Sequence, residues 1–277
     1  MITDWDQAYS NVDHVSDSAT YPDRWQAAAT AFRTDMAAAG RMEENLPYGT
    51  APRQVFDLFH PVRSPLGLAV FVHGGYWRRF DKTFWSHLAT GALAQGWAVA
   101  IPSYTLAPEA RLSRMTQEIG QAVSAAAQRV AGPVRLAGHS AGGQLVARMV
   151  CTDTPLTPEV AARIDHVLTI SGVHDLRPLL KTAINDDIRL DAAEAEAESP
   201  ALLTPRPGAR VTAWAGAGEL PEFVRQTDLL ANIWTGLGAC TRLVHAPGRH
   251  HFNVIAPLEE PDSLLTDALT GADGWPG

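Results

Sequence analysis

Gly138-His139-Ser140-Ala141-Gly142-Gly143 lies between the apolar run Val134-Arg135-Leu136-Ala137 and the helix-like Gln144-Leu145-Val146-Ala147-Arg148-Met149-Val150. G-x-S-x-G alone is a weak pattern. Between a strand and a helix it reads as a nucleophile elbow, a sharp turn that presents a serine at the edge of a sheet. A side chain in place of either flanking glycine would meet the neighbouring strand or helix. The competing reading, a phosphate-binding βα turn, lacks its marks: neither G-x-G-x-x-G nor a P-loop lysine is present.

Outward from the elbow, short apolar runs alternate with helical periodicity. Strands are expected at 55–59, 68–72, 98–101, 134–137, 167–170, 211–214 and 241–244. Helices are expected at 25–39, ending at Gly40, and at 83–95, 115–129, 141–151 and 221–235. Phe84, Leu88, Ala92 and Leu93 share one stripe in the second of these, the spacing of a helix packed on a sheet. Such alternation predicts an α/β fold, a mostly parallel twisted sheet covered by helices on both faces. Between His174 and Arg210 it is interrupted by four prolines and the acidic run Asp191, Glu194, Glu196, Glu198. This stretch reads as a lid-like insertion, with the acidic run on a solvated helix face. One domain over 1–277 is expected, with 1–50 as an N-terminal extension.

Composition excludes several classes. Hydrophobic residues make up 46% and charged residues 19%, unlike a disordered or coiled-coil chain. Against 30 acidic residues stand 22 basic ones, a net charge of −8 that argues against nucleic-acid or anionic-membrane partners. The first residues lack a basic segment followed by an apolar run, and no stretch approaches the ~20 apolar residues of a membrane span. A cytoplasmic enzyme acting on a small molecule is expected; a homodimer would be compatible, though no residue pattern requires one. Cys151 and Cys240 sit in apolar stretches and read as buried packing residues. The ten histidines include no H-E-x-x-H and no spaced His/Cys set, so neither metal nor cofactor is expected.

A serine hydroxyl needs a base to take its proton and a third group to orient that base. Downstream, Trp214-Ala-Gly-Ala-Gly-Glu219 leaves a predicted strand and ends in a carboxylate. Pro247-Gly-Arg-His250-His251-Phe252 follows the last strand. The order Ser140, Glu219, His251 suits nucleophile, acid and base. His250 is the alternative base, and Glu222 or Asp175 the alternative acid. Upstream, His73-Gly74-Gly75-Tyr76-Trp77 follows the strand at 68–72. Its glycines, with the N–H of Ala141, are placed to form an oxyanion hole, while His73 shapes the loop. Tyr76, Trp77 and His139 are the candidate substrate-binding residues, although an aromatic pair can equally be core.

Together, His73-Gly-Gly-Tyr-Trp77, Gly138-His-Ser-Ala-Gly-Gly143, residues 219–226 and His251-Phe252 resemble the kynurenine formamidase (arylformamidase) group of α/β-hydrolases. The likeness runs from about residue 50 to about 260, and Tyr9 and Asn11 also look like bacterial members. It implies the α/β-hydrolase fold and hydrolysis of N-formylkynurenine to kynurenine and formate. It also implies Ser140 as nucleophile, His251 as base and an oxyanion hole at Gly74, Gly75 and Ala141. Known formamidases carry aspartate as the acid, whereas Glu219 stands here. Relatives labelled esterase or thioesterase make a carboxylesterase or thioesterase the alternative activity, and a non-catalytic ligand-binding protein the remote one.

Overall fold

In a computed structural model that describes residues 2–271, eight strands pair in one sheet. They are β1 (Met42–Pro47), β2 (Val55–Phe59), β3 (Leu68–Val72), β4 (Ala98–Pro102), β5 (Val134–His139), β6 (Ile164–Ile170), β7 (Arg210–Gly216) and β8 (Cys240–Ala246). Their order is β1-β2-β4-β3-β5-β6-β7-β8. β2 runs antiparallel to both its neighbours, and every pairing from β4 to β8 is parallel. Met1 and residues 272–277, the ends of the expected 1–277 unit, lie outside the described residues.

The period of two along each strand explains why both faces are covered. Leu68, Val70 and Val72 point into one core with Val134, Leu136, Val167 and Val211, whereas Ala69 and Phe71 point into the other with Val99, Ile101, Leu168 and Ile170. Eleven helices are described: α1 (Trp5–Tyr9), α2 (Asn11–His14), α3 (Tyr21–Ala38), α4 (Thr90–Ala94), α5 (Leu112–Arg129), α6 (Ala141–Arg148), α7 (Pro158–Arg163), α8 (Asn185–Ile188), α9 (Ala192–Ala197), α10 (Pro221–Gly236) and α11 (Leu264–Thr270). α5, α6 and α10 cover the first face with Leu112, Ile119, Val123, Leu145, Leu230 and Trp234. α3, α4 and α11 cover the second with Trp25, Met36, Leu93, Leu265 and Leu269.

Four expectations change. The helix foreseen at 83–95 is two 3₁₀ turns, Lys82–Phe84 and Ser86–Ala89, followed by α4. Trp85 leaves helical geometry at φ −121°, ψ 1° to seat its indole against Trp25, 4.6 Å between ring centroids. The 3.6 spacing therefore marks a shared inward face but not a continuous helix. β1 was not foreseen, because this polar edge strand has no apolar run to betray it. Cys151 is buried as expected, but Cys240 is exposed, since β8 forms the far edge of the sheet. The acidic run is not all solvated either. Asp191 and Glu196 are exposed, but Glu194 and Glu198 turn inward. Glu194 pairs with Arg111 at 2.7 Å, and Glu198 with buried Arg148 at 3.1 Å. These pairs pin the 174–210 insertion onto α5 and α6, and among the described residues no helix is long and apolar enough to cross a membrane.

Candidate active site

Ser140 stands between β5 and α6 at φ 56°, ψ −118°, a strained turn held by its N–H donating to the carbonyl of Ile170 at 2.8 Å. The turn closes only over glycine. A Cβ on Gly142 would come within 2.0 Å of the Val72 carbonyl oxygen. From the neighbouring strand end, Gly74 approaches so closely that a Cβ there would lie 2.8 Å from the Ser140 Cβ. The Gly74 backbone therefore abuts the serine, and Gly75 lines the same cavity as Ser140. Ala141 begins α6, where the first backbone N–H groups have no intrahelical acceptor. His73 is fully buried, stacked on Tyr104 with centroids 4.6 Å apart and with Nδ1 2.7 Å from the Gly74 carbonyl oxygen. Burial pushes its pKa down to about 4, which suits a neutral shaping residue.

His251 lies in the loop after β8 and lines the cavity with Ser140. Its Nδ1 is 2.8 Å from Glu219 Oε2. The other oxygen of that carboxylate accepts from the Gly216 N–H at 2.8 Å and from the Ser171 hydroxyl. Burial alone would raise the Glu219 pKa. The charge and hydrogen bond of His251, then Ser171 and Gly216, outweigh it and hold the carboxyl below its ordinary value. The His251 ring packs 4.5 Å from Phe223 and 4.7 Å from His139. His139 Nε2 lies 2.9 Å from the His251 carbonyl oxygen and must donate to it. Burial, reinforced by His251, keeps the His139 pKa well below normal, so this ring is neutral.

The alternatives are engaged elsewhere. Glu222 accepts from Tyr9 at 2.7 Å and from Arg225 at 2.6 and 2.7 Å. Asp175 chelates the Arg177 guanidinium at 2.9 and 3.0 Å. His250 turns away, its Nε2 3.3 Å from the Tyr21 hydroxyl.

The cavity, of about 680 Å³, opens over Ser140. Much of its lining is aromatic, including Trp25, Tyr76, Phe80, Trp85 and Phe252. Tyr76 and His139 line this cavity, but Trp77 does not. It is 0% exposed, absent from the cavity wall, and donates from Nε1 to Gln144 Oε1 at 3.0 Å. Trp77 is a core residue, its buried indole N–H satisfied by Gln144 of α6.

Sequence reasoning did not assign the wall formed by the N-terminal segment. The segment 6–22 supplies Asp6, Gln7, Tyr9, Ser10, Asn11 and Pro22, and the 174–210 insertion adds Ala183 and Ile184. Tyr9 latches this wall through Glu222 and Gln226, and Tyr76 donates to the Tyr9 carbonyl at 2.5 Å. The family-like Tyr9 and Asn11 were the available signal. At the rim, Arg78 is paired with Asp187, while exposed Arg79 extends over Phe80 with no carboxylate against it among the described residues. Nor do the described residues hold a cluster of three or more His, Cys, Asp or Glu arranged for a metal ion.

Comparison with known proteins agrees with this architecture. A family model described as an alpha/beta hydrolase fold matches residues 69–210, more than half of the chain. A kynurenine formamidase from Salmo salar is 28% identical over 235 residues, covering 81% of this chain and 80% of that protein. One from Danio rerio is 26% identical over 234 residues, with 81% and 80% covered. A crystal structure from Silicibacter sp. TM1040, of a proposed thioesterase, superposes with a TM-score of 0.92 at 49% identity, covering 96% of this chain and 99% of the other.

Proposed function

The chain belongs to the α/β-hydrolase fold family and is a hydrolase similar to kynurenine formamidases, and on that premise we propose a serine hydrolase that deformylates an aryl formamide such as N-formylkynurenine. What carries the reading is the 2.8 Å contact from His251 Nδ1 to buried Glu219, in a cavity His251 shares with Ser140. Glu219 fixes the tautomer with the proton on Nδ1, leaving Nε2 to accept. Ser140 Oγ attacks the formyl carbon as Nε2 takes its proton. The tetrahedral oxyanion is held by the N–H groups of Gly74, Gly75 and Ala141, each such donor worth about 3–4 kcal/mol of barrier. As the C–N bond breaks, His251 returns the proton to the departing aryl amine. Water, deprotonated by the same imidazole, then attacks the formyl-serine, and the imidazolium returns the proton to Ser140 Oγ as the C–O bond breaks and formate leaves.

The leaving group decides the substrate. The aromatic wall of Trp25, Tyr76, Phe80, Trp85 and Phe252 suits an aryl amine, and the exposed guanidinium of Arg79, with no carboxylate against it among the described residues, suits a carboxylate on its tail. Hydrolysis of short-chain esters or thioesters by the same groups is the second reading, favoured by the 49% identity to the proposed thioesterase. The deciding measurement is kcat/KM for N-formyl-L-kynurenine beside a short-chain nitrophenyl ester. Ser140→Ala should abolish both turnovers with the fold intact. Ester turnover with negligible deformylation would replace the formamidase reading. A Ser140→Ala enzyme that keeps most of its activity, or a phosphonate that fails to label Ser140, would remove the nucleophile itself.

A further inference from the structure

Ser171 has no part in the steps above, yet it occupies an unusual place. It is fully buried just beyond β6, at φ 51°, a left-handed conformation that a non-glycine residue adopts at a cost. Its N–H is fixed to the Trp214 carbonyl of the neighbouring strand at 2.6 Å, and its hydroxyl donates to Glu219 Oε1. We propose that Ser171 is a positioning residue, whose hydroxyl acts with the Gly216 N–H to fix the plane of the Glu219 carboxylate against His251. The proposal rests on the triad reading and extends it.

The geometry explains why two donors are needed. Glutamate has one more rotatable bond than aspartate, so a carboxylate on the longer arm must be oriented from outside. The Gly216 N–H alone, 2.8 Å from Oε1, gives a pivot about which the group can turn. A second donor from the adjacent strand removes that freedom and aims Oε2 at His251 Nδ1, 2.8 Å away.

The test uses Ser171→Gly, which deletes the hydroxyl while relaxing a positive φ, so that the fold is spared. Ser171→Ala is its partner, deleting the hydroxyl without that relief. Both should lower kcat on a nitrophenyl ester by about tenfold with KM within about twofold, since the group orients the base and does not bind substrate. In a Glu219→Ala background the same change should cost less than about twofold, because no carboxylate is left to orient. Wild-type kcat in Ser171→Gly, or an equal loss with and without the Glu219 carboxylate, overturns the positioning role. Full turnover by Ser140→Ala would instead bring down the triad reading, and this proposal with it.

Discussion

Replacing Glu219 by glutamine tests the site most directly, because the surrounding donors dictate how the amide must sit. Oε1 receives the Gly216 N–H at 2.8 Å, which can only donate and so requires an acceptor, and also the Ser171 hydroxyl. In Glu219→Gln the amide oxygen must take that place, which turns its NH₂ toward His251 Nδ1. An amide donor facing Nδ1 demands a lone pair there and puts the ring proton on Nε2. The imidazole is then the wrong tautomer to accept the Ser140 proton. In the serine-protease example of such a swap kcat drops by about 10⁴, equivalent to about 5.5 kcal/mol of barrier. A loss of that order is expected in kcat for a nitrophenyl ester, with the thermal midpoint little changed because size and most hydrogen bonds survive. Glu222→Gln and Asp175→Asn, measured alongside, should retain kcat within about tenfold, since their carboxylates hold Tyr9, Arg225 and Arg177. Near-normal kcat in Glu219→Gln, or a larger loss in either companion, would refute the assignment of the acid.

Three further outcomes follow from the same contacts. Tyr9→Phe deletes the 2.7 Å bond to Glu222 and should cost about 1.5–3 kcal/mol of stability, as for a hydrogen bond to a charged group, while raising KM more than it lowers kcat. Denaturant melts and steady-state kinetics check both, and an unchanged KM would mean that segment 6–22 does not shape binding. Gly142→Ala would force a Cβ to 2.0 Å from the Val72 carbonyl and should destabilise the chain by more than about 3 kcal/mol; a variant that melts like wild type would contradict the closeness of the elbow to β3. Burial holds the pKa of His73, His87, His166 and His174 at about 4, 4, 3 and 3. Unfolded, they titrate near 6.5, so the unfolded chain binds more protons as pH falls from about 6.5 toward 4 and stability is lost in that window. Each contributes on the order of 2 kcal/mol at pH 5, and a denaturation midpoint that stays flat from pH 7 to pH 5 would speak against their burial as neutral rings.

Much of the candidate site was legible because its parts are local. The elbow needs glycines at fixed distances from Ser140, and the strand before it and helix after it announce themselves by periodicity. Glu219 and His251 each follow a strand, so their order along the chain already suggested the arrangement. Trp77 was not legible, since one residue from Tyr76 the chain turns its side chain from cavity to core. Nor was the broken run at 82–94, where the inward stripe is real but Trp85 takes its own geometry to meet Trp25.

What the sequence determined by itself is what repeats or touches within a few residues: the α/β alternation, the strand-turn-helix at Ser140, and the glycine-lined loop at Gly74 and Gly75. Only the tertiary structure shows that, of Glu219, Glu222 and Asp175, it is Glu219 that meets the His251 imidazole, 32 positions away along the chain. It also decided that the segment around Tyr9 walls the cavity through a bond to Glu222 across 213 positions. Such contacts join side chains that no local period relates, and they exist once the parallel sheet has brought the ends of β5, β6, β7 and β8 to one edge.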